Sequence, residues 1–364
     1  MYCPIMKNRD EELRVLKDMN NYFGDSITPI IEVIKDEYLI RYKTDEVTGK
    51  YIFEKKPGNK NRSKIELDPH EEDIITLKGI EERHKGKKAF VDFFRFSEKE
   101  YDNKGFKGIE LSFKLSRDYT YYKQRVLQIG HFKNLIPVIS IKNGFKVSER
   151  ELLEFINELR KENPSIAIRI TDNLIEDYLE VLEDNLTRED YLMLDIRSQH
   201  VDSKFIELEE FQEMETKASK ILLNSPRSRS YKNGNYENLD YTNKIDNKVA
   251  VLYKNYGFQG FGDFGGLKDD LPSNSGGNGK GAALGLLFVK EENAFYSIVN
   301  NDTNMGVSGY NYVRTEILKR LDFLDKEDNC VVIKRIKDMK IKFGSWATWN
   351  NITLSRYIHQ QSRK

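Results

Sequence analysis

The chain has 364 residues, 38% of them hydrophobic, and Lys+Arg and Asp+Glu each total 59. That length suits one large domain or two ordinary ones. A formal charge of zero lacks the basic excess of a duplex-coating protein and leaves only local patches for nucleic acid. No run approaches the roughly 18 apolar residues of a membrane span, and the opening Met1–Lys7 has no basic segment followed by an apolar one, so no signal peptide is expected. Cys3 and Cys330 are too few and too far apart for a disulfide framework or a zinc site. A cytosolic protein with no membrane partner is the expectation.

Residues 1–7 read as a short buried strand, with Pro4 at a start or edge position. A helix over about 9–20 follows, with Leu13, Leu16 and Met19 on one stripe. Ile27–Ile34 is too apolar for a one-sided strand and suits a parallel strand covered on both faces. Residues 36–68 are charged and Lys-rich, with a hairpin around Thr48 and Gly49, and read as a surface excursion. An alternation then sets in. A helix at about 70–85 leads to strand Lys88–Phe94, and after a second excursion a helix at about 118–132 leads to strand Leu135–Ile141. Ser148 with Glu151 three residues on is a capping box, opening a helix that ends near Pro164 before strand Ser165–Ile170. Helices at about 174–184 and 204–216 flank strand Tyr191–Ile196 and precede strand Ala218–Leu223.

Seven apolar strands separated by helices imply a parallel α/β architecture. The Gly/aromatic run Gly257–Gly266 stands where an eighth strand, Gly257–Phe264, closes a TIM-like (β/α)8 barrel; an open doubly wound sheet is the runner-up. The predicted organisation is a single barrel-like domain over 1–364, since about 250 residues is usual for this fold and insertions explain the surplus. The insertions are 36–68 and a loop and helix over 225–248, and 273–364 is a C-terminal elaboration. In that last part, 273–281 reads as a turn-rich loop, Ala282–Val289 and Ala294–Val299 as an antiparallel hairpin, 309–324 as a helix, 330–334 as a strand and 350–361 as a terminal amphipathic helix.

In such a barrel the strands present chemistry at their C-terminal ends. Glu32, Asp92, Ser140, Arg169, Asp195 and Asn224 fall late in otherwise apolar runs, and Asp263 joins them from the eighth strand. Buried charge needs a partner, water or a ligand. One reading is a functional ring: Glu32, Asp92, Asp195 and Asp263 as catalytic carboxylates, the first three holding Mg²⁺ or Ca²⁺ through oxygen ligands. Arg169, Arg197 and Asn224 would then meet substrate, the arginines on phosphate. The competing reading is a structural ion-pair layer, Arg169 with Glu32 or Asp195.

Other polar groups carry weaker signals. His70, His84, His131 and His200 read as solvated, and no metal-ligand spacing joins them. His359 reads as a surface histidine ending the terminal helix. Asp302 reads as an Asx turn that caps a helix, or as a cation ligand. Ser225–Lys232 is a local basic patch, read as a solvated loop. Gly279-Lys280 is not followed by Ser or Thr, so 273–281 is no phosphate loop.

Three segments together resemble a known family. Tyr2–Met6 followed by Thr28–Val33 is similar to the opening of the bacterial and phage Beta protein family. Gly260–Phe264 resembles its Gly-Asp-aromatic motif, and Ser297–Asp302 with Trp346 and Arg356–His359 resembles its C-terminal segments. Gly262 stands where Ser is common, and 36–68 is an added insertion. The resemblance implies a barrel-like α/β fold and a place in phage–bacterium conflict, with a nuclease-like neighbour or a phage protein as partner; it implies no catalytic mechanism. The leading expectation is a defence-associated barrel that senses or binds a phage component or works with such a partner. A metal-dependent phosphodiester hydrolase and a non-catalytic interaction scaffold are the alternatives.

Overall fold

In the computed structural model, which describes residues 1–58, 60–97, 108–272, 281–327 and 329–363, eight parallel strands close into a barrel. They are β1 (Tyr2–Lys7), β2 (Ile30–Val33), β5 (Ala89–Phe93), β6 (Leu135–Ile141), β7 (Ala167–Thr171), β8 (Tyr191–Asp195), β9 (Ser219–Leu223) and β11 (Gly260–Asp263). Each pairs with the barrel strand before and after it in the chain, and β1 closes the ring. Residues 2–4 of β1 pair with β11 and residues 5–7 with β2, and Pro4 sits at the changeover. All eight strands anticipated from the sequence are present. Their apolar runs are buried on both faces, as expected where helices cover the outside of a parallel sheet and side chains fill its inside.

The remaining strands lie outside the barrel. The hairpin β3 (Phe53–Glu54) and β4 (Ser63–Lys64) falls in the 36–68 excursion, and β10 (Asp240–Thr242) joins the antiparallel pair β12 (Ala283–Val289) and β13 (Ala294–Asn300). The capping box forms as expected, with the Ser148 hydroxyl accepting from the Glu151 amide and the Glu151 carboxylate accepting from the Ser148 amide.

Three expectations for the C-terminal part need correction. Residues 330–334 do not form a strand: Val331–Asp338 is a helix whose Val332, Ile333 and Ile336 are buried, a 3.6-residue pattern that a short β-branched run disguises. The terminal helix, Trp346–Ser362, is longer than expected and is buried almost all round from Trp349 to Gln360, because it lies between the helix Asp10–Asp18 and the β12–β13 sheet. Trp349 stacks on Tyr310, and Tyr357 lies against Phe288 and Phe295. The 225–248 insertion is a 3-10 turn plus β10, with a five-residue helix, Lys248–Leu252, after it. The glycine-rich stretch 273–281 lies outside the described residues apart from Gly281.

Candidate functional site

Parallel strands aligned in register bring their last inward side chains to one end, and there the polar residues meet. Arg169, on β7, is the hub. Its Nε and Nη2 donate to Asp195 Oδ2 at 2.9 and 2.7 Å, and its Nη1 donates to Glu32 Oε1 at 2.8 Å and Asp92 Oδ2 at 3.0 Å. Lys7, at the end of β1, donates to Glu32 Oε2 and to Asp269 Oδ1, both at 2.7 Å, and Arg229 pairs with Asp269 Oδ2 at 2.9 Å. The Ser140 hydroxyl donates to Asp92 Oδ2 at 2.7 Å. The ion-pair layer is therefore present, with Arg169 reaching Glu32, Asp92 and Asp195 together.

Electrostatics follow from this wiring. Burial alone raises the Glu32 carboxyl, but Lys7 and Arg169 outweigh it and hold the group below its ordinary value. Asp269 is likewise raised by burial and pulled well down by Lys7 and Arg229. Asp195 stays above its usual range because burial exceeds the help of Arg169. Arg169 itself, though fully desolvated, is held more firmly protonated by its three carboxylates. A guanidinium at the centre of these carboxylates occupies the place a divalent cation would take, so the expected metal role of Glu32, Asp92 and Asp195 does not fit this geometry. Among the described residues no group of three or more His, Cys, Asp or Glu is arranged to hold a metal. The hydrogen bonds that Arg169 donates here all go to these carboxylates.

A pocket with about 360 Å³ of empty space opens above the network, walled by Phe94, Ser140, Lys142, Thr171, Arg197 and Ser225 and floored by Arg169, Asp195 and Asp269. The space open to the centre of a water molecule is about 20 Å³, roughly enough for one or two waters. Lys142 follows β6. It is only 8% exposed, yet its ammonium has no hydrogen-bond acceptor or carboxylate partner among the described residues; it lies 4.2 Å from the Phe94 ring centroid. Burial pushes its pKa down to about 8. The register Ser140↔Arg169, Ile141↔Ile170 places Thr171 beside it on the next strand, and the buried Thr171 hydroxyl also lacks a partner. Arg197 holds a left-handed φ of 56°, fixed by its amide donating to Asp195 Oδ1 and its carbonyl accepting from the Ser225 amide. Burial lowers the pKa of its guanidinium.

Of the residues anticipated, Glu32, Asp92, Arg169 and Asp195 meet in one network and Arg197 lines the pocket. Asn224 does not line it: its backbone amide donates to the Gly262 carbonyl and its buried Oδ1 has no partner. Asp263 does not reach the mouth either. Strand alternation sends Gly260 and Gly262 inward and Phe261 and Asp263 outward. A Cβ at Gly262 would stand 2.5 Å from the Cys3 carbonyl and 2.6 Å from Leu223, so the inward face of β11 has room only for glycine. Asp263 instead accepts from Tyr2 Oη at 3.1 Å, Tyr357 Oη at 2.9 Å and the Gly265 amide at 2.7 Å, tying the barrel to the terminal helix. Burial, only partly offset by these bonds, raises its pKa to about 6.

Other expectations change with burial. His84 is wholly buried, bonded through Nε2 to the Lys88 carbonyl and lowered by burial to about 4, and His359 is 6% exposed beneath Tyr22; neither is solvated. His70, His131 and His200 are exposed as expected. Arg227, read as part of a solvated patch, is buried and donates to Tyr236 Oη and the Gly266 carbonyl. Asp302 accepts from the Asn304 amide, which is the capping role.

Lys7 and Lys142 were missed although each ends or follows an apolar strand, the same signal that identified Glu32 and Asp92. Asp269 lies on the loop after β11, where no periodicity can point to it.

The family model described as Beta protein matches residues 2–363, essentially the whole chain. The chain belongs to the Beta protein family. The segment Gly262-Asp263-Phe264, which carried part of the resemblance, maps to the closing strand and the Tyr-lined Asp263 site, not to the pocket. A search of curated proteins found no match. No helix among the described residues is long and apolar enough to cross a membrane.

Proposed function

We propose that the barrel mouth of this Beta protein binds a small anionic molecule through a phosphate or carboxylate group met by Lys142 and Arg197. The observation that carries this reading is Lys142, a residue more than nine-tenths buried whose ammonium makes no hydrogen bond among the described residues, on the wall of a pocket beside the unsatisfied Thr171 hydroxyl. A lysine this largely withdrawn from water and without a close acceptor gains from a counter-ion, and an anion in the pocket would supply one. The carboxylates below repel such a ligand less than their number suggests, since each is paired with Arg169, Lys7 or Arg229, and Lys142 and Arg197 add positive charge at the pocket. The charged head of such a ligand would enter the pocket, with the rest of the molecule toward solvent.

The family resemblance supports placing this binding in phage–bacterium conflict, with the occupied pocket as a signal passed to a protein partner. Isothermal titration with inorganic phosphate tests the binding step. Wild type is expected to bind at pH 7 and to lose affinity as pH rises through about 8, because only the protonated lysine attracts the anion. Lys142→Met should weaken binding about tenfold or more. Equal binding by the folded variant would remove Lys142 from the site. In cells, Lys142→Met should also abolish protection in a phage-plating assay, and undiminished protection would separate the pocket from any defence role.

A further inference from the structure

The excursion between β2 and the helix Thr76–His84 has a chemistry of its own. Lys50–Lys64 contains Lys50, Lys55, Lys56, Lys60, Arg62 and Lys64 against one acid, Glu54, in a chain whose formal net charge is zero. Among the described residues none of these six cations has a carboxylate within ion-pair distance. The fold arranges aromatic rings among them. Phe53 and Lys64 are directly opposed across β3–β4, and isolated bridges Thr44↔Tyr51 and Tyr42↔Glu66 add a third extended segment. Tyr51 lies two residues before Phe53 and shares its face. Lys64 Nζ stands 3.7 Å from the Tyr51 ring centroid and 4.9 Å from that of Tyr42, and the two tyrosines meet edge to face at 5.8 Å. Tyr51 is 50% and Phe53 51% exposed.

We infer that this hairpin face binds single-stranded nucleic acid, its rings stacking on bases and its unpaired cations following the phosphates. Exposed rings on a small sheet offer a sequence-tolerant stacking surface, and flanking Lys and Arg add a salt-dependent attraction. A duplex hides its base faces, so the rings would gain nothing from it. The excursion leaves the barrel directly after β2, the strand that carries Glu32, and so stands at the same end as the mouth pocket.

Fluorescence anisotropy with the full chain and labelled dT or U oligomers of about 20 nucleotides, beside a duplex of equal length, tests this. Single strands should bind more tightly than duplex, and affinity should fall steeply between about 50 and 200 mM salt. The double variant Tyr51→Ala/Phe53→Ala should weaken single-strand binding about tenfold or more while leaving the salt slope unchanged. Lys55→Glu/Lys56→Glu should reduce that slope by roughly two. Unchanged thermal unfolding in both variants keeps the comparison clean, because these residues are surface-exposed. No binding at low salt, equal affinity for duplex, indifference to the aromatic substitutions, or capture only by phosphatidylserine vesicles would each overturn the inference.

Discussion

The barrel mouth and the Asp263 site, both anchored on barrel strands, treat a buried carboxylate in opposite ways. At the mouth, Glu32, Asp92, Asp195 and Asp269 are matched by Arg169, Lys7 and Arg229, and Glu32 and Asp269 are held below their ordinary values. At the outer site Asp263 has two tyrosine hydroxyls and one amide but no cation among the described residues, and burial raises it to about 6. Charge pairing keeps Glu32 and Asp269 ionised, and Lys142 faces the pocket above them. Hydroxyl pairing leaves Asp263 on the edge of protonation inside a closed contact with the terminal helix. The difference separates a place able to receive a ligand from one that fastens two parts of the fold.

The largest effect should come from removing the hub of the mouth. Arg169→Met strands three buried carboxylates, and breaking a buried ion pair typically costs about 3–5 kcal/mol. Denaturant unfolding should show at least that loss. Arg169→Lys should recover little of it, since one ammonium cannot span Glu32, Asp92 and Asp195 as the forked guanidinium does. Near-wild-type stability of the Met variant would show that the network is dispensable.

A smaller, pH-dependent effect should mark Asp263. Its folded pKa of about 6 exceeds the ordinary 3.8, so between those values the folded protein holds a proton that the unfolded chain has lost. Stability contributed by this group is therefore present at low pH and declines as pH rises from about 4 to 6, by roughly 3 kcal/mol. Asp263→Asn should remove that component, so the difference in unfolding free energy between wild type and variant should change across this window. A difference that stays flat would mean that Asp263 titrates as an ordinary carboxyl.

The two regions also differ in how far they could be read from sequence. The strand runs are apolar on both faces and recur at regular spacing, so all eight barrel strands were legible, as were Glu32, Asp92, Arg169 and Asp195 as the polar interruptions in those runs. Lys7 and Lys142 carried the same signal but sit at or past the end of their strands, where an apolar run simply stops. Asp263 was misplaced by one step of alternation: the inward positions of β11 are Gly260 and Gly262, which have no side chain to announce their direction. The packing of Gly265 against Leu354 and of Gly266 against Phe295 explains the glycine run as a close approach to the C-terminal elements. Partners that distant in the chain, like the burial of His359 and Arg227, become visible only once the fold is closed.

The central claim is that Lys142 is an unpaired cation awaiting an anion. An NMR titration of the protein carrying ε-carbon-labelled lysine, without and with inorganic phosphate and with Lys142→Met to assign the signal, reads this directly. One lysine should titrate near 8 in the free protein and move upward when phosphate is present, because a bound anion favours the charged form. A Lys142 resonance that titrates at the ordinary lysine value of about 10.4 and ignores phosphate would contradict the account.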